Sequence, residues 1–129
     1  MCATRTRRHY FSTEATYLTY SEALSRLGPR ESRKIANNTY LERRDDGDIA
    51  LRLHRTDVLT YHPDGTVTLN SGGWQTVTTK RRMNQYLPNG YRVYQHRFDW
   101  YVWNYLAAKQ NGNDGSRVEY FDGMTLEAF

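Results

Sequence analysis

Apolar residues recur at every second position through the middle of the chain. Ile49, Leu51 and Leu53 alternate with Ala50, Arg52 and His54, the pattern of a half-buried strand. Tyr40 to Arg44 and Val58 to His62 read as strands on either side. Val67 and Leu69 share one face of the next, with Thr66 and Thr68 opposite. Two turns punctuate the run. Asp46-Gly47 suits a tight hairpin, which needs positive φ. In His62-Pro63-Asp64-Gly65, proline presets φ at the second position and glycine takes the bulge. Gly72-Gly73 breaks the pattern, and Trp74 to Val77 reads as one more short strand. Tyr91 to Gln95 and Phe98 to Tyr105 predict a second hairpin. Phe98, Trp100 and Val102 share one face of it, and Asp99, Tyr101 and Trp103 the other. Aromatics on both faces make that strand central or place it at an interface. Val118 to Phe121 and Met124 to Leu126, around Asp122-Gly123, read as the last strand and a closing edge.

The helical period appears in two places. Ser21 is placed to cap a helix through Ala23 and Leu24 to Leu27, which Gly28-Pro29 stops. Residues 30–36 continue as a further helical turn, bringing Arg30, Arg33 and Lys34 close together. Met83, Tyr86 and Leu87 stand at i, i+3 and i+4, the inner face of a short helix. Thr78 or Thr79 caps this helix, and Pro88 ends it before the Asn89-Gly90 turn. Residues 10–20 favour a strand or a packed extended arm. The expected fold is α+β, an antiparallel β-meander sheet, strongly twisted or partly barrel-like, with one or two short helices.

Length and composition sharpen this picture. A chain of 129 residues supplies one domain with a modest core. Residues 1–9 are expected to form a flexible basic arm, and residues 10–129 a single compact domain. Only 38% of residues are hydrophobic, but 14% are aromatic, and each aromatic buries a large area. Disorder of the whole chain is thereby excluded, although residues 109–117 carry little to bury. Cys2 is the only cysteine, so no internal disulfide and no cysteine zinc site can form. No apolar run approaches the roughly 18 residues of a membrane span. The N-terminal basic residues have no apolar stretch after them, so a signal peptide is not expected and a reducing cytosol is the default compartment.

The net charge of +4 excludes an acidic mimic of DNA. Fifteen arginines against three lysines either serve phosphate or carboxylate contacts or reflect genome composition. The sharpest local conflict is at Lys80-Arg81-Arg82. A helix N-terminus already carries about half a positive charge, so cations there are unfavourable unless an anion is bound. A phosphate would accept from free N–H groups, the Thr78 and Thr79 hydroxyls, and Lys80, Arg81 and Arg82 together. Gly72-Gly73 lets backbone come close nearby, and Trp74 is placed to stack on a base. The alternative is a solvated basic face with acidic neighbours. Arg92 and Arg97, interleaved with Tyr91, Tyr94, Phe98, Trp100 and Tyr101, fit a stacking platform for single strands, a partner patch, or core packing. Arg5, Arg7 and Arg8 form a second basic cluster that suits nucleic-acid backbone or a solvated end. His54 and His62 offer acid–base chemistry of a metal-independent nuclease, but no nucleophile, metal or P-loop motif accompanies them. No cofactor and no metal are expected.

Over residues 37–102 the chain resembles a group of small bacteriophage-encoded proteins. The shared features are Asn38-Thr39-Tyr40, then Leu53, His54, Thr56 and Val58 in "LHRTDV". The turn before "TVTLNSGGWQTVTTKRRMN" and the late "WYV" recur as well. The resemblance implies a phage origin and expression in a host cell cytoplasm, and it brings no assigned activity. The leading expectation is a phage accessory protein that binds nucleic acid. The alternatives are a protein-binding inhibitor of a host defence complex, of the anti-CRISPR type, and a small nuclease. The expected partner is therefore nucleic acid, a host protein or a ribonucleoprotein complex.

Overall fold

The computed structural model describes residues 16–104 and 117–127. The arm expected over residues 1–9 and most of residues 109–117 lie outside the described residues.

The period-two pattern falls within a meander of five strands. These are β1 (Ser32–Ala36), β2 (Thr39–Arg43), β3 (Ile49–Leu53), β4 (Thr56–Tyr61) and β5 (Thr66–Leu69). Each pairs antiparallel with the next, and β9 (Thr125–Glu127) closes the far edge against β5. A second open sheet holds β6 (Tyr91–His96), β7 (Asp99–Asn104) and β8 (Arg117–Glu119). Among the described residues, two α-helices complete the fold, α1 (Tyr20–Leu27) and α2 (Val77–Tyr86). The architecture is α+β with antiparallel sheets, and neither sheet closes into a barrel.

The core is one cluster. Leu41, Leu51, Leu59, Tyr61, Val67 and Leu69 from the large sheet meet Ala23 and Leu27 of α1. Met83 and Tyr86 of α2, with Leu87 just beyond it, and Val93, Trp100 and Val102 of the small sheet fill the rest. Tyr61 is wholly buried, and its hydroxyl donates to the Tyr86 carbonyl at 2.6 Å. Burial pushes the Tyr61 hydroxyl well above its ordinary pKa. A bulge in β4 leaves Val58 unpaired between Asp57 and Leu59 and turns it inward, where it is 1% exposed.

Several elements differ from the sequence pattern. Residues 32–36 form a strand, not a helical turn, because β2 offers an open edge that Ser32 to Ala36 pair with. Thr19, not Ser21, caps α1. Its side chain accepts from the Glu22 backbone, while the Glu22 side chain accepts from the Thr19 backbone. Gly28 stops this helix with φ 65°. Trp74 to Val77 is not a strand, since loop contacts replace ladder pairing there. Phe98 leaves the β7 face altogether. It sits with Arg97 in the two-residue β6–β7 turn, at φ 74° and 51° respectively, and is 90% exposed.

Candidate nucleic-acid interface

The loop from Asn70 to Thr76 decides where α2 begins. Ser71 is buried, and its N–H and hydroxyl both donate to Asp122 Oδ1 at 2.8 Å. The Tyr120 hydroxyl donates to the same oxygen at 2.6 Å. Gly72 follows at φ 64°, and a Cβ there would meet Thr56 Oγ1 at 2.7 Å. Only glycine lets the loop approach β4 this closely. The chain then turns twice, with Trp74 N–H donating to the Ser71 carbonyl at 3.0 Å and Thr76 N–H to the Trp74 carbonyl at 2.9 Å.

Thr76 is therefore the N-cap, and neither Thr78 nor Thr79 takes that role. Its side chain accepts from the Thr79 N–H at 3.2 Å. Thr79 is 4% exposed, and its hydroxyl is engaged with that of Thr76 at 3.1 Å. The consequence for charge is direct. Lys80, Arg81 and Arg82 are the fourth to sixth helical residues, beyond the free N–H groups of the first turn. Lys80 N–H already donates into the helical ladder, to the Thr76 carbonyl at 3.1 Å. The conflict between cations and helix end is thus much weaker than the sequence spacing suggests.

The three cations also diverge. Arg82 is a structural tie. Its Nε donates to Thr39 Oγ1 at 2.9 Å, and its guanidinium reaches Gln85 Oε1 at 2.7 Å and the Asn37 carbonyl at 3.4 Å. These bonds clamp α2 to the β1–β2 turn. Lys80 points toward the small sheet, with Nζ 3.4 Å from Gln95 Oε1 and 5.7 Å from the Trp100 ring centre. Arg81 is exposed.

Lys80 and Arg81 nonetheless meet a third cation. A cleft of about 620 Å³ runs between α2 and the start of β6. Lys80, Arg81 and Asn84 line it from α2, Asn89 and Arg92 from the other side, and Tyr17 and Trp103 also line it. None of the described lining residues is acidic. Tyr91 also lines it, and burial pushes its hydroxyl above the ordinary pKa, so it adds no negative charge near neutrality. Asn84 holds the cleft's geometry by pairing with both backbone groups of Val93 on the free edge of β6.

Beyond Arg92 the cleft opens on the outer face of the small sheet. Arg92 lies opposite Trp103, and Trp103 opposite Arg117. Tyr94 and Tyr101 stack with ring centres 5.7 Å apart, and the Arg117 guanidinium lies 4.8 Å from the Tyr101 ring centre. Asp99 and Glu119 share this face. Positive charge is therefore concentrated at the cleft end, away from the Arg97 turn. Arg97 sits at that turn and does not join the cleft.

Trp74, Thr78 and Thr79 belong to a different cavity, of about 520 Å³, on the other side of the first turn of α2. Leu53 and Val58 form its apolar floor, and His54, Arg55 and Thr56 its far lip. Trp74 is 67% exposed at its mouth. His54 and His62 lie at opposite ends of β4, roughly 20 Å apart at strand rise, so they form no acid–base pair. His62 is held between Asp48 at 3.0 Å and Thr68 at 2.7 Å. Among the described residues, no group of three or more His, Cys, Asp or Glu side chains is placed to hold a metal ion. No described helix is long and apolar enough to cross a membrane.

Sequence reasoning grouped Arg82 with Lys80 and Arg81, and missed Asn84, Arg55 and Tyr17. Asn84 left a faint trace, since asparagine is a poor choice inside a helix unless its side chain has other work. Tyr17 and Arg55 carried no local signal, because their place at a cavity is set by chain contacts far away in sequence.

Residues 16–127 match the family model of the Kyanoviridae Gp96 protein. No curated protein and no solved structure matches the chain.

Proposed function

The chain belongs to the Kyanoviridae Gp96 protein family, a phage family, and from that premise we propose that it is an accessory protein that binds single-stranded nucleic acid in the host cell cytoplasm. One observation carries the reading. Lys80 and Arg81 on α2 and Arg92 on β6 converge on one cleft that has no described acidic wall and carries Tyr17 and Trp103. Cations neutralise phosphates along a strand, and aromatic faces stack on its bases without needing a particular sequence. The outer face of the small sheet extends the aromatic surface through the stacked Tyr94 and Tyr101. Sheet-borne aromatics are a recurrent way to hold unpaired bases.

The test is fluorescence anisotropy with labelled twelve-residue thymidine and uridine strands at low salt. Wild type binds, and the K80E/R81E/R92E variant does not, while its melting curve is unchanged. Retained affinity in that variant refutes the reading. A complex with a host protein that survives nuclease treatment, from a chain with no affinity for either strand, replaces it.

A further inference from the structure

The cation cleft and the Trp74 cavity share a wall. Val77, Lys80 and Arg81 face the cleft, while Thr76, Thr78 and Thr79 face the cavity, so the first turn of α2 is all that separates them. The two sides differ in chemistry. The cleft offers three cations and the carboxamide of Asn89. The cavity offers an apolar floor of Leu53 and Val58, an exposed indole and a single guanidinium, Arg55, with no described acid. Val77 on the turn between them is an apolar side chain 64% exposed.

The loop that presents the indole is anchored on its N-terminal side. Ser71 is anchored by two bonds to Asp122, and Gly72 is pressed against Thr56, so the loop that carries Trp74 has little freedom. A large exposed aromatic on an anchored loop beside an apolar cavity suits a flat ligand. The hydroxyls of Thr56 and Thr78 line the cavity without a hydrogen-bond partner among the described residues. Each can donate and accept at the edge of a planar heterocycle.

We propose that the Trp74 cavity takes one unpaired base of the strand whose backbone lies in the Lys80–Arg81–Arg92 cleft, the strand crossing α2 over Val77. Trp74 stacks on the base, and Arg55 meets the next phosphate. This inference rests on the nucleic-acid reading of the cleft and adds to it a base-holding subsite. A strand from the nucleic acid is favoured over a free nucleotide because three of the four phosphate ligands, Lys80, Arg81 and Arg92, lie across a helical turn from the base cavity. Only a chain of several nucleotides spans both.

The experiment compares a labelled twelve-residue thymidine strand with an abasic strand of the same length, which keeps the phosphates and lacks the bases. Wild type is expected to bind the thymidine strand at least about tenfold more tightly, the size of one stacked base. W74A is expected to lose about tenfold of that preference, the share of one stacked base, while keeping its affinity for the abasic strand. W74F, which keeps a stacking ring, is expected to restore much of it. The exposure of Trp74 means that none of these changes disturbs the core. An unchanged preference in W74A overturns the cavity inference. The cleft reading then still stands if K80E/R81E/R92E loses the abasic strand. Free thymidine monophosphate binding as tightly as the strand also overturns the inference, because the cleft would add nothing.

Discussion

The Asn84 side chain pairs with Val93 as a neighbouring strand would. Its Nδ2 donates to the Val93 carbonyl at 2.8 Å, and its Oδ1 accepts from the Val93 N–H at 2.7 Å. One helical side chain thus satisfies the free edge of β6 and fixes α2 against it. Val93 itself is wholly buried, so water cannot readily replace this partner. Asn84→Ala is expected to destabilise the fold by about 1–3 kcal/mol, the range for leaving buried polar groups unpaired. Urea unfolding checks this, and the same variant is expected to show weaker strand binding because the cleft walls are no longer held together.

Arg82 and Arg81 are adjacent and are expected to behave oppositely. Arg82→Ala removes the clamp to Thr39 and Asn37 and is expected to cost about 2 kcal/mol, within the range for hydrogen bonds to charged groups. Arg81→Ala is expected to leave the melting temperature unchanged and to weaken binding. Thermal melts and anisotropy on both variants separate the two roles.

The β6–β7 turn is expected to be improvable. Arg97 and Phe98 both hold positive φ, which costs ordinary residues roughly 1–2 kcal/mol each, and neither side chain is of the type such turns prefer. R97N/F98G supplies those types and is expected to raise the melting temperature by about 5 °C. A lower melting temperature would mean that Phe98 has a stabilising contact elsewhere.

Acid stability is expected to depend on Glu42. Hydrogen bonding from Arg52 lowers its carboxyl from 4.5 to about 2, with Arg44 and Ser32 adding to the effect. The folded state thus prefers the ionised form. Its stabilisation is complete above the unfolded value and is lost as pH falls from about 4.5 toward 2. Glu42→Gln is expected to be less stable than wild type at pH 7, and the difference is expected to shrink across that window. Denaturant melts at pH 7, 4 and 2.5 measure it.

How far these features were legible in the sequence follows from their range. Ile49, Leu51 and Leu53 announced themselves because burial of one strand face is written at period two, and all three are buried. Met83, Tyr86 and Leu87 did the same at helical spacing. The cap of α2 was read at Thr78 or Thr79 and not at Thr76 because the three threonines are chemically equivalent. The choice is made by Gly72 against Thr56 and by Ser71 against Asp122, contacts that no local window contains. Residues 32–36 lacked an apolar stripe because an edge strand is recruited by the open side of β2, not by burial. The basic stretch was recognised as special, but its reason changed. Arg82 turned inward to hold the fold, and Arg92, twelve positions beyond Lys80, took its place beside Lys80 and Arg81.

The most direct measurement of the central claim is the salt dependence of strand binding. The logarithm of the binding constant for the thymidine strand is plotted against the logarithm of salt concentration, for wild type and for K80Q/R81Q/R92Q. Each phosphate contact on a single strand contributes about 0.7 to the slope. Loss of three contacts is expected to make the slope shallower by about 2. Equal slopes in the two proteins, or wild-type binding that does not respond to salt, would contradict the claim that Lys80, Arg81 and Arg92 hold phosphates.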